Sequence, residues 1–179
     1  MKKLKNFTIQ FVGLKTGKHL FDYRIDKAFF EEFEYEEVND IDVRANVELN
    51  KKETLLELNF NITGTVNVNC DLTNEPFQEK IEGNFDLVVN FGDDYNDENE
   101  EILIIPHGEY EINVAQYIYE LIVLSIPSKR IHPGVMDGTL QSDILDKLEE
   151  LSPKEKENKT TEDKTDPRWD TLKNLLTDK

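Results

Sequence analysis

A strict alternation of apolar and polar side chains, starting at Ile41 and running to Phe91, most constrains what this chain can fold into. Ile41, Val43, Ala45, Val47 and Leu49 alternate with Asp42, Arg44, Asn46 and Glu48. A period of two is the mark of a strand with one face buried. Leu56, Leu58, Phe60, Ile62, Val66, Val68, Cys70 and Leu72 then share one parity, with Gly64 among them. Phe77, Ile81, Phe85, Leu87, Val89 and Phe91 share another, with Gly83 among them. Turn-forming residues at 50–53 and 73–76 separate the three runs. A turn centred between Lys51 and Lys52 pairs Val47 with Leu56. One centred between Asn74 and Glu75 pairs Leu72 with Phe77, Val68 with Ile81 and Ile62 with Leu87. It sets Gly64 opposite Phe85 and Val66 opposite Gly83, nearly level, where the hairpin can bend. The pattern predicts an antiparallel meander with one buried face.

Upstream, residues 6–14 and 19–25 flank Lys15–Thr16–Gly17–Lys18 and read as a hairpin, although their parities match poorly. Asp26 is placed to cap a short helix that turns Phe29, Phe30 and Phe33 inward. Downstream, residues 92–101 are acidic and loop-like, without the glycine and glutamate an EF-hand requires. Residues 101–105 form a short apolar strand stopped by Pro106. Asn113 then opens the strongest helix, residues 113–126, with Gln116 at the capping-box position and Ile112 and Tyr117 as a staple. Ile118, Leu121, Ile122 and Leu124 make it apolar on most sides, so it should lie across the buried face of the sheet. The expected fold class is α+β: a bent antiparallel sheet, a meander or a barrel-like one, packed on one buried helix.

With 179 residues, 37% of them hydrophobic, the chain suits one domain and a tail. The expected division is a β-rich domain over residues 1–133 and an acidic, largely flexible tail with short helices over 134–179. Residues 139–151 have amphipathic spacing, whereas 152–166 hold no apolar side chain and cannot pack. The basic start of the chain has no continuous apolar run, and no stretch of about 18 apolar residues exists, so a soluble cytoplasmic protein is expected. A single cysteine excludes an internal disulfide. The formal net charge of −17 opposes a broad nucleic-acid-binding face and favours basic protein partners. Small basic clusters stand at Lys2, Lys3 and Lys5 and at Lys129, Arg130 and His132, of which the second is the candidate for RNA contact.

Chemistry is sparse. Cys70 shares parity with Val66 and Val68, so a small buried hydrophobe is the better reading than a nucleophile. His19, His107 and His132 are scattered, and no P-loop, dinucleotide fingerprint, nucleophile elbow or zinc-protease motif is present. No catalytic residue, metal ligand or cofactor site is assigned.

Three blocks carry a resemblance. Residues 66–77, "VNVNCDLTNEPF", resemble the core motif of the YceD-like family, the large ribosomal RNA subunit accumulation proteins. There a strand commonly ends in two cysteines separated by two residues. Cys70 matches the first; Thr73 stands at the second. Residues 108–133 resemble the family's apolar helix followed by a proline and a histidine, and 166–176, "DPRWDTLKNLL", its closing motif. The resemblance implies a non-enzymatic role in ribosome biogenesis, supporting accumulation of large-subunit (23S) ribosomal RNA in the bacterial cytoplasm. The additional cysteines of many family members imply a metal site, for which this chain lacks the ligands.

The expected partners are large-subunit ribosomal precursors or basic ribosomal and assembly proteins, for which a monomeric chain would be an acidic adaptor. The closing segment is the candidate partner-binding element. Asp166 caps, Pro167 suits the first helical position and Arg168 follows. Trp169, Leu172, Leu175 and Leu176 fall broadly on one helical face. The alternative from another class is a small-ligand carrier, with an apolar cavity between sheet and helix.

Overall fold

The computed structural model describes residues 3–152. In chain order the elements are a 3₁₀ helix (Lys3–Phe7), β1 (Thr8–Ile9), β2 (Gly17–Ile25), α1 (Lys27–Glu31), β3 (Asp40–Lys51), β4 (Leu55–Asn69), β5 (Pro76–Gly92), β6 (Asn96–Asn99), β7 (Ile102–Pro106), β8 (Ile112–Asn113), α2 (Ala115–Ser125), α3 (Pro133–Met136) and α4 (Asp143–Leu151). The fold is α+β. Its main sheet has the strand order β2-β3-β4-β5-β7-β6 and ends in two free edges, so it is open and not a barrel.

The alternation of β3, β4 and β5 survives in their burial: Val43, Val47, Leu49, Leu56, Phe60, Val66, Val68 and Val89 are wholly buried. Parity was legible, but both registers are four residues from the expected ones. Lys51, not Val47, pairs with Leu56, because the β3–β4 connection is a tight turn over Glu53 and Thr54, closed by Lys52 N–H donating to Leu55 O (3.0 Å). Val68 pairs with Phe77 and Leu58 with Leu87, because residues 70–75 form a wide turn. That turn removes Leu72 from the buried face and leaves it 40% exposed. Gly64 faces Ile81 and Gly83 faces Ile62, in neighbouring pairs. A Cβ at Gly64 would stand 2.6 Å from Val43 Cα on β3, so only glycine allows that approach.

The N-terminal hairpin does not form. β1 pairs with β8, and β2 pairs with β3. The intervening loop crosses the end of β3, where Lys51 Nζ donates to the carbonyls of Phe11 (2.8 Å), Val12 (3.2 Å) and Leu14 (2.9 Å). Three carbonyls held by one ammonium outweigh a local pairing of mismatched parity. The acidic stretch also differs from expectation, since β6 forms an edge strand against β7. Its carboxylates suit an exposed edge. Because β7 returns from β6, it enters the sheet parallel to β5.

One face of the sheet is covered by α1, the N-terminal segment and α2. Asp26 caps α1 through Phe29 N–H; the helix is only five residues, yet it buries Phe29 and Phe30. Tyr119 of α2 meets Phe30 of α1 at 5.3 Å and stacks at 4.2 Å on Phe33, just past the end of α1. α2 starts at Ala115, later than expected. Asn113 Oδ1 accepts from Ala115 N–H (3.0 Å), while its amide donates to Leu4 O and Thr8 Oγ1. The capping box is absent because the Gln116 amide donates to Glu120 Oε1. α2 rests directly on the sheet: a Cβ at Gly83 would collide with Ser125 and lie 3.2 Å from Leu121. The described residues fall into two units that divide between Ser142 and Asp143; in the second, α4 has no buried residue.

Candidate functional site

The wide turn after β4 carries the one thiol of the chain. Cys70 N–H donates to Glu75 O (2.9 Å) and Asn74 N–H donates to Cys70 O (2.8 Å). Asn74 sits at φ +59°, a left-handed conformation that asparagine tolerates better than most residues. The turn therefore closes on itself and aims amide groups at the sulfur.

Residues 130–134 lie against it. Asp71 N–H donates to Arg130 O (2.8 Å), and Arg130 N–H donates back to Asp71 Oδ2 (2.7 Å). His132 N–H donates to Cys70 Sγ (3.3 Å). Cys70 is 2% exposed and Thr73 4% exposed. Burial pushes the Cys70 thiol up, but hydrogen bonds from His132 N–H, the Thr73 hydroxyl and the Thr73 and Leu72 amides outweigh it and hold the thiol below its ordinary value. These donors favour the charged form of the sulfur.

The donor set does not fit a structural zinc ion, which needs four ligands, mostly Cys and His. Thr73 stands beside Cys70, and His132 Nδ1 accepts from Gly134 N–H (2.9 Å) while its ring meets Phe77 edge-on. Among the described residues no group of His, Cys, Asp and Glu is arranged to hold a metal. Cys70 and His132 instead join two distant parts of the chain.

Lys129, Arg130 and His132 do fall at one place. However, Arg130 is engaged by Asp71 (3.4 Å) and Glu37 (3.7 Å), and the His132 side chain caps α3. Lys129 is exposed. Sequence reading missed Asp71 and Glu37 as the partners of Arg130; an aspartate opening a turn was the one local sign. The partner-binding candidates Asp166, Pro167, Arg168, Trp169, Leu172, Leu175 and Leu176 lie outside the described residues.

Sheet, helix and turn define an α+β protein whose cysteine turn is clasped by the segment that follows α2. The chain belongs to the YceD family, the large ribosomal RNA subunit accumulation proteins, whose profile matches residues 58–176. The match takes in the cysteine turn, α2 and the Arg130–His132 segment, and membership gives the chain a role in accumulation of large-subunit ribosomal RNA. No curated protein and no solved structure matches it. Among the described residues no helix is long and apolar enough to cross a membrane.

Proposed function

We propose that the chain is a non-enzymatic, acidic adaptor in assembly of the large ribosomal subunit, working in the bacterial cytoplasm and binding basic ribosomal or assembly proteins rather than RNA. The charge of −17 carries this reading. RNA affinity comes largely from cations placed on phosphates, and the best basic cluster spends Arg130 on Asp71 and Glu37. Basic proteins meet no such penalty.

Residues 166–176 are the second element of the proposal. Their leucines and Trp169 are spaced in the sequence as in an amphipathic docking segment, and a segment this short is marginal as a helix unless it packs on something. The test is gradient sedimentation of tagged full-length chain and of a chain lacking residues 166–179. The full chain should travel with large-subunit precursors. The truncated chain should lose that association and keep its thermal midpoint. Normal association after truncation would remove the segment from the interface, and a midpoint several degrees lower would assign it to the folded core.

A further inference from the structure

Beside α2 the surface opens into a groove of about 550 Å³ whose far wall is β6 and the turn after it. Phe85, Leu103 and Leu121 give it an apolar lining. At its mouth Leu124 is 83% exposed and Tyr95 59% exposed, so the apolar lining continues out to solvent. Asp97, Glu100 and Glu120 bring three carboxylates around it, and none of the described residues lining it is basic.

We propose that this groove docks a basic amphipathic peptide segment of a partner protein, its apolar side chains on Leu121 and Leu124 and its Lys or Arg side chains on Asp97, Glu100 and Glu120. The proposal deepens the adaptor reading and rests on it. Charge complementarity selects the occupant. A phosphate backbone would meet carboxylates, and so would an acidic peptide. A neutral ligand would leave the rim carboxylates unused. The Tyr117 phenol also lines the groove. Burial first, then the neighbouring Tyr95, Asp97 and Glu120, push it up to about 12. An apolar floor with a single-sign rim is the arrangement that receives a helix in a groove, where apolar anchors supply affinity and the rim supplies orientation.

The test uses the full chain and a fluorescent synthetic peptide with lysines and leucines at helical spacing. A glutamate–leucine peptide of the same pattern and a leucine-free polylysine are the controls. The lysine–leucine peptide should bind and both controls should bind far more weakly. Leu124→Ser, and separately the pair Glu100→Lys and Glu120→Lys, should each weaken binding by about tenfold or more, since anchors and desolvated charges carry most of such an interface. All three positions are exposed, so the thermal midpoint should stay put. Binding that ignores these variants, or that polylysine reproduces, would overturn the proposal. So would binding of an RNA oligonucleotide that the same variants abolish, a dimer that Leu124→Ser dissociates, or peptide binding that begins only once residues 166–179 are removed. Sedimentation separates the two readings. If wild-type chain travels with large-subunit precursors and the groove variants travel equally well, only the groove assignment fails. If the wild type does not travel with them at all, the adaptor reading fails.

Discussion

Cys70 ties the β4–β5 turn to the segment after α2 through one N–H···S bond and a set of turn amides. Its thiol ionises below its ordinary value in the folded chain and at that value when unfolded. Between the two the unfolded chain holds more protons, so stability rises with pH across that window. The gain is complete above the ordinary thiol value and is lost as pH falls through the folded one. Wild-type chain should therefore show an increase in thermal midpoint with pH just below the ordinary thiol range, and Cys70→Ser should lack it. The substitution itself should cost about 1 kcal/mol, because the serine oxygen still finds donors. Labelling of the native thiol should be slow and should track unfolding, as expected for a sulfur that is 2% exposed. Fast labelling, or a pH profile shared with Cys70→Ser, would contradict this account. Burial of Cys70 was legible from strand parity alone. Its bond to His132 was not, since 62 residues separate them and nothing local announces the contact.

Among the elements, β4 shows how far a pattern reaches. Period two fixes which side chains face the core but leaves register free by even steps, since a shift of two or four residues preserves every face. Turn geometry decides the rest, and both turns differed from their sequence-based placement: one is tight over Glu53 and Thr54, the other wide over residues 70–75. Gly64 was legible as a special position, while its reason came from packing against Val43. Gly64→Ala should destabilise the fold by about 3 kcal/mol, the upper part of the range for overpacking, because backbone atoms of β3 cannot step aside. Denaturant unfolding measures it; a loss below about 1 kcal/mol would mean the two strands separate more readily than this packing allows. Helix α2 was legible in type and in its buried side, marked by Ile118 and Ile122. Its exposed Leu124 was not, because an apolar residue at helical spacing reads as core until its neighbours are known.

At the scale of the whole molecule, the family match begins at residue 58, inside β4, yet the sheet it belongs to includes β2 and β3. Residues before the match thus complete the core: Phe29 and Phe30 are buried, and Lys51 holds the N-terminal loop. The family was legible because its blocks are local strings. The meander place of β3 was legible too, but the joining of the N-terminal segment to that core was not, because β1 finds its partner about a hundred residues away at β8. Likewise the sequence marked Lys129, Arg130 and His132 as a basic cluster, and only the fold shows Arg130 held by Asp71 and Glu37. A net charge of −17 over such a surface leads to the central claim, that large-subunit precursors are reached through protein and not through RNA. The direct measurement is binding of the purified full-length chain, at physiological salt, to protein-free 23S ribosomal RNA and to isolated large-subunit proteins in parallel. Salt-sensitive binding to one or more of the basic proteins is expected, with weak or no binding to the RNA. Tight, salt-sensitive RNA binding that is lost in Lys129→Ala and Arg130→Ala would contradict it.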